Sequence, residues 1–240
     1  MAANDSVQPG AFARRSFLYR KLAAAGATFG AVNGAAVALD FGDPKGEGTV
    51  ARRMGLADLS PLPRIGFKGA GTAEWLAGQG LAVPEDSNRA LRQDDGALAA
   101  RLSPTEMLIL GDLSGQGGWP ERLVVAWDAA PLPPPTPRGY PVPRADTHAW
   151  FLVTGEHGAA MFAKICGVDL RPQRFDKGQV AQTSVARLTG TVIRDDRGGV
   201  PAFHLLADSA SAAYLWDCLL DAMAEFSGAP VGLTAVRGLT

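Results

Sequence analysis

Residues 55–69 read Gly55-Leu56-Ala57-Asp58-Leu59-Ser60-Pro61-Leu62-Pro63-Arg64-Ile65-Gly66-Phe67-Lys68-Gly69. Gly55 closes a charged helix over Glu47 to Met54, with Glu47, Arg52 and Arg53 on it. Asp58 and Ser60 sit in a polar corner broken by prolines. Arg64 to Lys68 then makes a short buried strand, stopped by Gly69. Helix, corner and short strand in this order indicate helices packed on a sheet of short strands.

Working outward, the same element order occurs twice. After Arg64 to Lys68 come a helix over Thr72 to Ala77, strands over Ala97 to Leu102 and Met107 to Leu110, and a helix from Pro120 to Asp128 with proline in its first turn. Further on, Ala149 to Val153 is a strand and His157 to Cys166 a helix. Val180 to Ile193 is a strand, Asp195 to Gly199 a turn needing positive φ, and Ala202 to Leu206 the returning strand. Leu215, Cys218, Leu219, Ala222 and Phe226 recur on one face of a closing helix capped by Ser209 or Ser211 and stopped by Gly228 and Pro230. Strand-helix-strand-strand-helix is a split βαβ unit, so the predicted class is α+β with two ferredoxin-like halves. The implied boundaries are a flexible start over 1–15, a first half over 16–130, a proline-rich connector over 131–143, a second half over 144–230 and a tail over 231–240. The prolines of the connector suit an extended segment and exclude it from the centre of a sheet.

The start of the chain has two readings. Arg14-Arg15 before an apolar, small-residue stretch has the pattern of a twin-arginine export signal, which would place the protein in the periplasm. Asn33, Gly30 and Gly34 interrupt that stretch, which favours a helix over Ser16 to Ala25, a strand over Thr28 to Phe41 and a cytoplasmic protein.

A chain of 240 residues, 47% hydrophobic and with a formal net charge of −1, has material for a real core and no basic patch for nucleic acid. No apolar run is long enough to span a membrane. Two distant cysteines, Cys166 and Cys218, read as buried free thiols, and three scattered histidines give no metal spacing. The glycines of Gly66 to Gly71 fit neither a dinucleotide nor a phosphate loop. Ser60, Ser103 and Ser184 lack a histidine at informative spacing, and Asp94-Asp95 and Asp195-Asp196 precede glycine in turns. His204, between Phe203 and Leu205 in a strand, reads as a hydrogen-bonded structural histidine, and Trp75, Trp127 and Trp216 as core or interface. No catalytic residue and no metal ligand is assigned.

The wording of residues 55–69 resembles the start of the folate-dependent aminomethyltransferase (glycine-cleavage T-protein) superfamily. Cys166-Gly167-Val168-Asp169-Leu170-Arg171-Pro172 with Phe175, and Ala213-Tyr214-Leu215-Trp216, resemble the gamma subunit of heterotetrameric sarcosine oxidase. The resemblance spans roughly residues 48–228 and implies a T-protein-like folate-binding fold. In that superfamily a strand reading Gly-Gly-Ile-Ile-Asp-Asp carries the carboxylate near the folate. The matching stretch is Gly96-Ala97-Leu98-Ala99-Ala100-Arg101, with alanines at the carboxylate positions and a cation following. The additional C-terminal barrel domain has no counterpart after Phe226.

The resemblance therefore implies a non-catalytic assembly subunit of a flavin- and folate-linked sarcosine oxidase, or of a related N-methyl amine dehydrogenase or demethylase. Larger flavoprotein and folate-binding partners would hold tetrahydrofolate, FAD, FMN and NAD, with none assigned to this chain. The alternative is a tetrahydrofolate-dependent aminomethyl or methyl transferase acting alone. A folate-binding maintenance protein is disfavoured because its Lys-Gly-Cys-Tyr-x-Gly motif is missing. Arg64, Trp119, Arg138, Tyr140 and Trp150 flank turns and the connector and are the candidate partner contacts.

Overall fold

The computed structural model describes residues 6–131 and 136–239. The helix before the opening stretch runs Pro44–Met54, with proline in its first turn and the Asp43 carboxylate accepting the Gly46 N–H at 3.0 Å. Gly55–Asp58 is itself a buried strand. The polar corner follows it: Asp58 accepts the Ser60 N–H at 2.9 Å and the Ser16 hydroxyl. Arg64–Lys68 is the expected strand.

The chain forms two compact units, one of Met1–Leu62, Thr147–Lys177 and Ala181–Thr240, the other of Pro63–Asp146 and Gly178–Val180. In the first, a six-stranded sheet runs in the order Val180–Val185, Leu188–Arg194, Ala202–Asp208, His148–Thr154, Gly55–Asp58, Ala229–Pro230. Its central ladders are antiparallel and its short closing pair is parallel. Phe151, Val153, Phe203 and Leu205 lie in one core with Leu22, Phe162, Leu215, Leu219 and Met223 from the helices Tyr19–Ala24, Gly158–Phe162 and Ala212–Met223. Trp150, Leu152 and His204 alternate with these strand residues and are also buried.

In the second unit an antiparallel sheet runs Arg89–Arg92, Leu98–Ser103, Glu106–Leu110, Arg64–Lys68, Tyr140–Pro143. Ile65, Phe67, Ala99, Met107 and Ile109 share a core with Leu76 and Leu123 of the helices Thr72–Gly78 and Trp119–Ala129. Both helices thus cover one face of an antiparallel sheet, the split βαβ arrangement of an α+β protein.

The boundaries differ from those predicted because the two sheets exchange strands. Gly55–Asp58 precedes Arg64–Lys68 in the chain yet pairs with His148–Thr154, and Tyr140–Pro143 precedes His148–Thr154 yet pairs with Arg64–Lys68. The connector is therefore partly a strand, at the edge where proline is tolerated, while its residues 132–135 lie outside the described residues. Two single strands of the sequence reading are hairpins. Thr28–Val32 and Ala35–Asp40 fold back at Asn33-Gly34, with φ of 48° and 71°. Val180–Val185 and Leu188–Arg194 fold back at Ala186-Arg187, with φ of 49° and 68°. Two consecutive left-handed residues reverse the chain in the sense that matches strand twist.

Both ends are more structured than predicted. Arg14–Arg15 pairs in parallel with Ala35 and Ala36, and Arg14 donates to the Pro61 carbonyl at 3.2 Å, so the arginine pair is part of a sheet. The tail holds the helix Leu233–Arg237, with Val231, Leu233, Val236 and Leu239 buried. Its entry is fixed by Glu47, which accepts from the Gly232 and Phe41 amides at 2.7 and 2.6 Å. Ser211 stands at the N-cap of the closing helix but makes no side-chain cap bond, and Asp208 caps the preceding turn through the Ala210 N–H. No helix among the described residues is long and apolar enough to cross a membrane.

Candidate functional site

The strand Leu98–Ser103 is the first place to look for chemistry, since the resemblance puts carboxylates there. Ala99 and Ala100 are fully buried. Arg101 turns its guanidinium to the loop carbonyls of Pro84, Glu85 and Pro104, at 3.1, 2.7 and 3.1 Å. A cation bound to three carbonyls is a loop clamp, and alternation puts it on the opposite face from Ala100. The strand offers neither a proton acceptor nor a negative charge to a folate-bound one-carbon group, so the residues present do not fit a folate-dependent transfer at this position.

A second constellation is absent from the sequence reading. Trp150 donates its indole N–H to His204 Nδ1 at 3.0 Å, and His204 Nε2 lies 3.3 Å from Asp195 Oδ2, which Arg197 reaches at 3.4 Å. With Nδ1 accepting from the indole, the ring is the neutral tautomer protonated on Nε2, donating to Asp195. Alongside, Arg194 grips Asp196 with Nε and Nη2 at 2.9 and 2.8 Å and gives Nη1 to the Phe175 carbonyl at 2.6 Å. His204 is thus hydrogen-bonded and structural, as its strand context suggests, and the lone pair a general base would use already holds the Trp150 proton. Asp195 and Asp196 are ion-pair partners, a role their turn context conceals, while Asp95 makes the turn bond predicted, accepting from Ala97 N at 3.0 Å. Ser60 also serves the fold, accepting the Trp150 N–H at 3.0 Å.

The two cysteines are half-buried and free, and they line one surface cavity of about 430 Å³ together with Lys164, Ser184, Arg187 and Tyr214. Burial pushes the Cys166 thiol above its usual range, which keeps it protonated and poorly nucleophilic. In the same segment Arg171 binds Asp169 through Nε and Nη2 and holds its carboxyl down to about 2, while Leu170 and Phe175 plug the core. Leu170 and Phe175 thus tie the segment Cys166 to Phe175 to the core. Among the described residues no group of three His, Cys, Asp or Glu could hold a metal ion.

The candidate partner contacts separate by burial. Trp150 is wholly enclosed, and Arg64 is buried with its guanidinium donating to the Ala145 carbonyl at 2.8 Å. Arg138 is buried as well, its guanidinium carbon 4.5 Å from the ring centroid of Trp127. These three have no surface to offer, because strand pairing and helix packing cover positions that read as flanks. Trp119 is half-buried under Arg122, at 4.2 Å, and Tyr140 is 53% exposed on the edge strand. Val125, at 68% exposed on the helix Trp119–Ala129, is an apolar surface residue that the sequence reading omits. An apolar side chain on the outer face of that helical period is the signal that could have found it.

No protein-family model matches the sequence, and no curated protein matches it. Solved structures do. A chain of the heterotetrameric sarcosine oxidase from Corynebacterium sp. U-96, in complex with pyrrole 2-carboxylate, aligns with a TM-score of 0.58 and 20% identity over 80% of this chain and 96% of that one. The glycine cleavage system aminomethyltransferase T from Bartonella henselae aligns with a TM-score of 0.70 and 18% identity over 94% of this chain and 61% of that one. The chain has the T-protein-like α+β fold, and it spans less than two thirds of the aminomethyltransferase whose fold it shares.

Proposed function

We propose that this chain is a non-catalytic, gamma-type subunit of a flavin- and folate-linked sarcosine oxidase or a related N-methyl amine dehydrogenase. The observation that carries the reading is the strand Leu98–Ser103, where buried Ala99 and Ala100 stand at the carboxylate positions and Arg101 is committed to loop carbonyls. Likeness over 80% of this chain and 96% of a chain of a heterotetrameric oxidase supports it, since a fold of this extent serves there as one chain among several. Larger flavoprotein and folate-binding chains would supply the chemistry, and Tyr140 and Val125 are the exposed anchors through which they would be met. The test is turnover by the purified chain. Sarcosine and other N-methyl amines should not be oxidised, tetrahydrofolate should accept no one-carbon unit, and co-expression with flavoprotein partners should yield a stable hetero-oligomer. One-carbon transfer to tetrahydrofolate by the chain alone would replace this reading with that of a free-standing transferase.

A further inference from the structure

The cavity of about 430 Å³ that both cysteines line is walled by the turn Ala186-Arg187, the segment from Lys164 to Gly167 and the helix Ala212–Met223. Hydrogen bonds fix these walls to one another. Ala186 N donates to the Ile165 carbonyl at 2.8 Å, the Tyr214 hydroxyl to the Ala186 carbonyl at 3.2 Å, and Lys164 Nζ to the Ala222 carbonyl at 3.0 Å. The volume lies in the range of small-molecule sites, about 300–1,000 Å³.

Two opposite charges line this cavity, and the fold uses neither. The Arg187 guanidinium and the Asp221 carboxylate form no hydrogen bond or ion pair with each other or with any other described residue. Lys164, the third charge, is already held by the Ala222 carbonyl and by Glu225 at 3.4 Å. Tyr214, Cys218 and Asp221 stand at i, i+4 and i+7 on one helix face, which sets Tyr214 and Asp221 about 10 Å apart along the axis. Arg187 belongs to the Tyr214 end, where its guanidinium is close enough to act on the phenol electrostatically. The cavity therefore has a positive end and a negative end. Ile165, Cys166 and Cys218 give it a weakly polar wall. Arg187 also sits in left-handed backbone, with φ of 68°, where glycine or asparagine would be less strained. Strain of this kind gathers at binding sites.

We infer that Arg187 and Asp221 form a binding site for a small zwitterion of the ω-amino acid class, with a carboxylate and an ammonium at opposite ends of an apolar chain. The site is independent of the proposed subunit role. Arg187 would take the carboxylate through two parallel N–H groups, and Asp221 the ammonium. The probe is 6-aminohexanoate, titrated into the full chain at constant ionic strength while backbone amide resonances are followed by NMR. Saturable shifts are expected at Arg187, Cys218 and Asp221. Hexanoate lacks the ammonium, hexylammonium lacks the carboxylate, and the charges of glycine stand too close together to reach both ends. Each should need at least about tenfold more ligand, the loss of one hydrogen-bonded charge. Arg187→Asn keeps a residue that suits the left-handed turn, and Asp221→Asn changes an exposed helix position, so both variants should fold. Each should raise the half-saturating concentration of 6-aminohexanoate at least about tenfold. The inference is overturned if 6-aminohexanoate gives no saturable shift, if any of the three control compounds binds as tightly, or if either variant leaves the titration unchanged.

Discussion

Trp150 and His204 join two neighbouring strands of the first unit through a buried side-chain hydrogen bond. Trp150→Phe removes the indole N–H that His204 Nδ1 accepts and leaves a buried nitrogen without that donor. It should destabilise the protein by about 1–3 kcal/mol, read as a lower denaturant midpoint, because an unsatisfied buried acceptor keeps its full desolvation penalty. None of this pairing is visible in sequence: Trp150 stands far from His204 in the chain, and only the register that sets Trp150 opposite Leu206 brings its indole to His204. Asp169 gives a pH test. Its carboxyl titrates at about 2 instead of 3.8 because the Arg171 side chain bonds the charged form, with the Arg171 amide adding to it. A depressed folded value means that this interaction is fully present above the unfolded value and is lost as pH falls from about 4 to about 2. The carboxyl carbon shift of Asp169 should show that low midpoint in the native chain and return towards 3.8 in Arg171→Ala. An unchanged midpoint in the variant would refute the pairing.

At the scale of elements, what is legible depends on whether local chemistry decides the shape. Arg64–Lys68 and Trp119–Ala129 lie where the sequence places them, because a glycine stop and a proline start are local signals. Read as an interruption of an apolar run, Asn33-Gly34 hides a hairpin, although this dipeptide is a strong hairpin signal. Ala186-Arg187 carries no turn residue at all. Its left-handed turn is held from outside, by Ala186 N donating to the Ile165 carbonyl at 2.8 Å and the Tyr214 hydroxyl donating to the Ala186 carbonyl at 3.2 Å. The two turns therefore differ in what maintains them. Gly34→Ala should cost about 1 kcal/mol purely through the backbone, since φ there is 71° and a Cβ would meet nothing within 4 Å. Arg187→Gly should be stabilising by a smaller amount, relief of the left-handed strain being partly offset by the entropy of glycine in the unfolded chain. Urea denaturation of both variants checks the opposite signs.

The whole molecule is organised by an exchange that no local pattern announces. A pairing between Gly55–Asp58 and His148–Thr154 is a contact between distant parts of the chain, so element order alone suggests two consecutive halves. The exchange makes folding of the second half conditional on the first fifty-odd residues. A fragment of residues 144–240 lacks the strand that pairs with Phe151 to Thr154, and its core loses Leu22, Phe29, Met54 and Leu56. At about 1.5–3 kcal/mol for each buried apolar side chain, the loss is about 6–12 kcal/mol. That is comparable with the entire net stability of a typical domain, about 5–15 kcal/mol. The unpaired edge of His148–Thr154 would also be open to association with other chains. Expressed alone, residues 144–240 should therefore show no cooperative unfolding transition and should aggregate. Adding a fragment of residues 1–62 in trans should restore a transition, because it returns both the strand and the four core side chains. Cooperative unfolding of residues 144–240 by themselves, followed by circular dichroism in urea, would show that the half is autonomous and that the exchanged strand is dispensable.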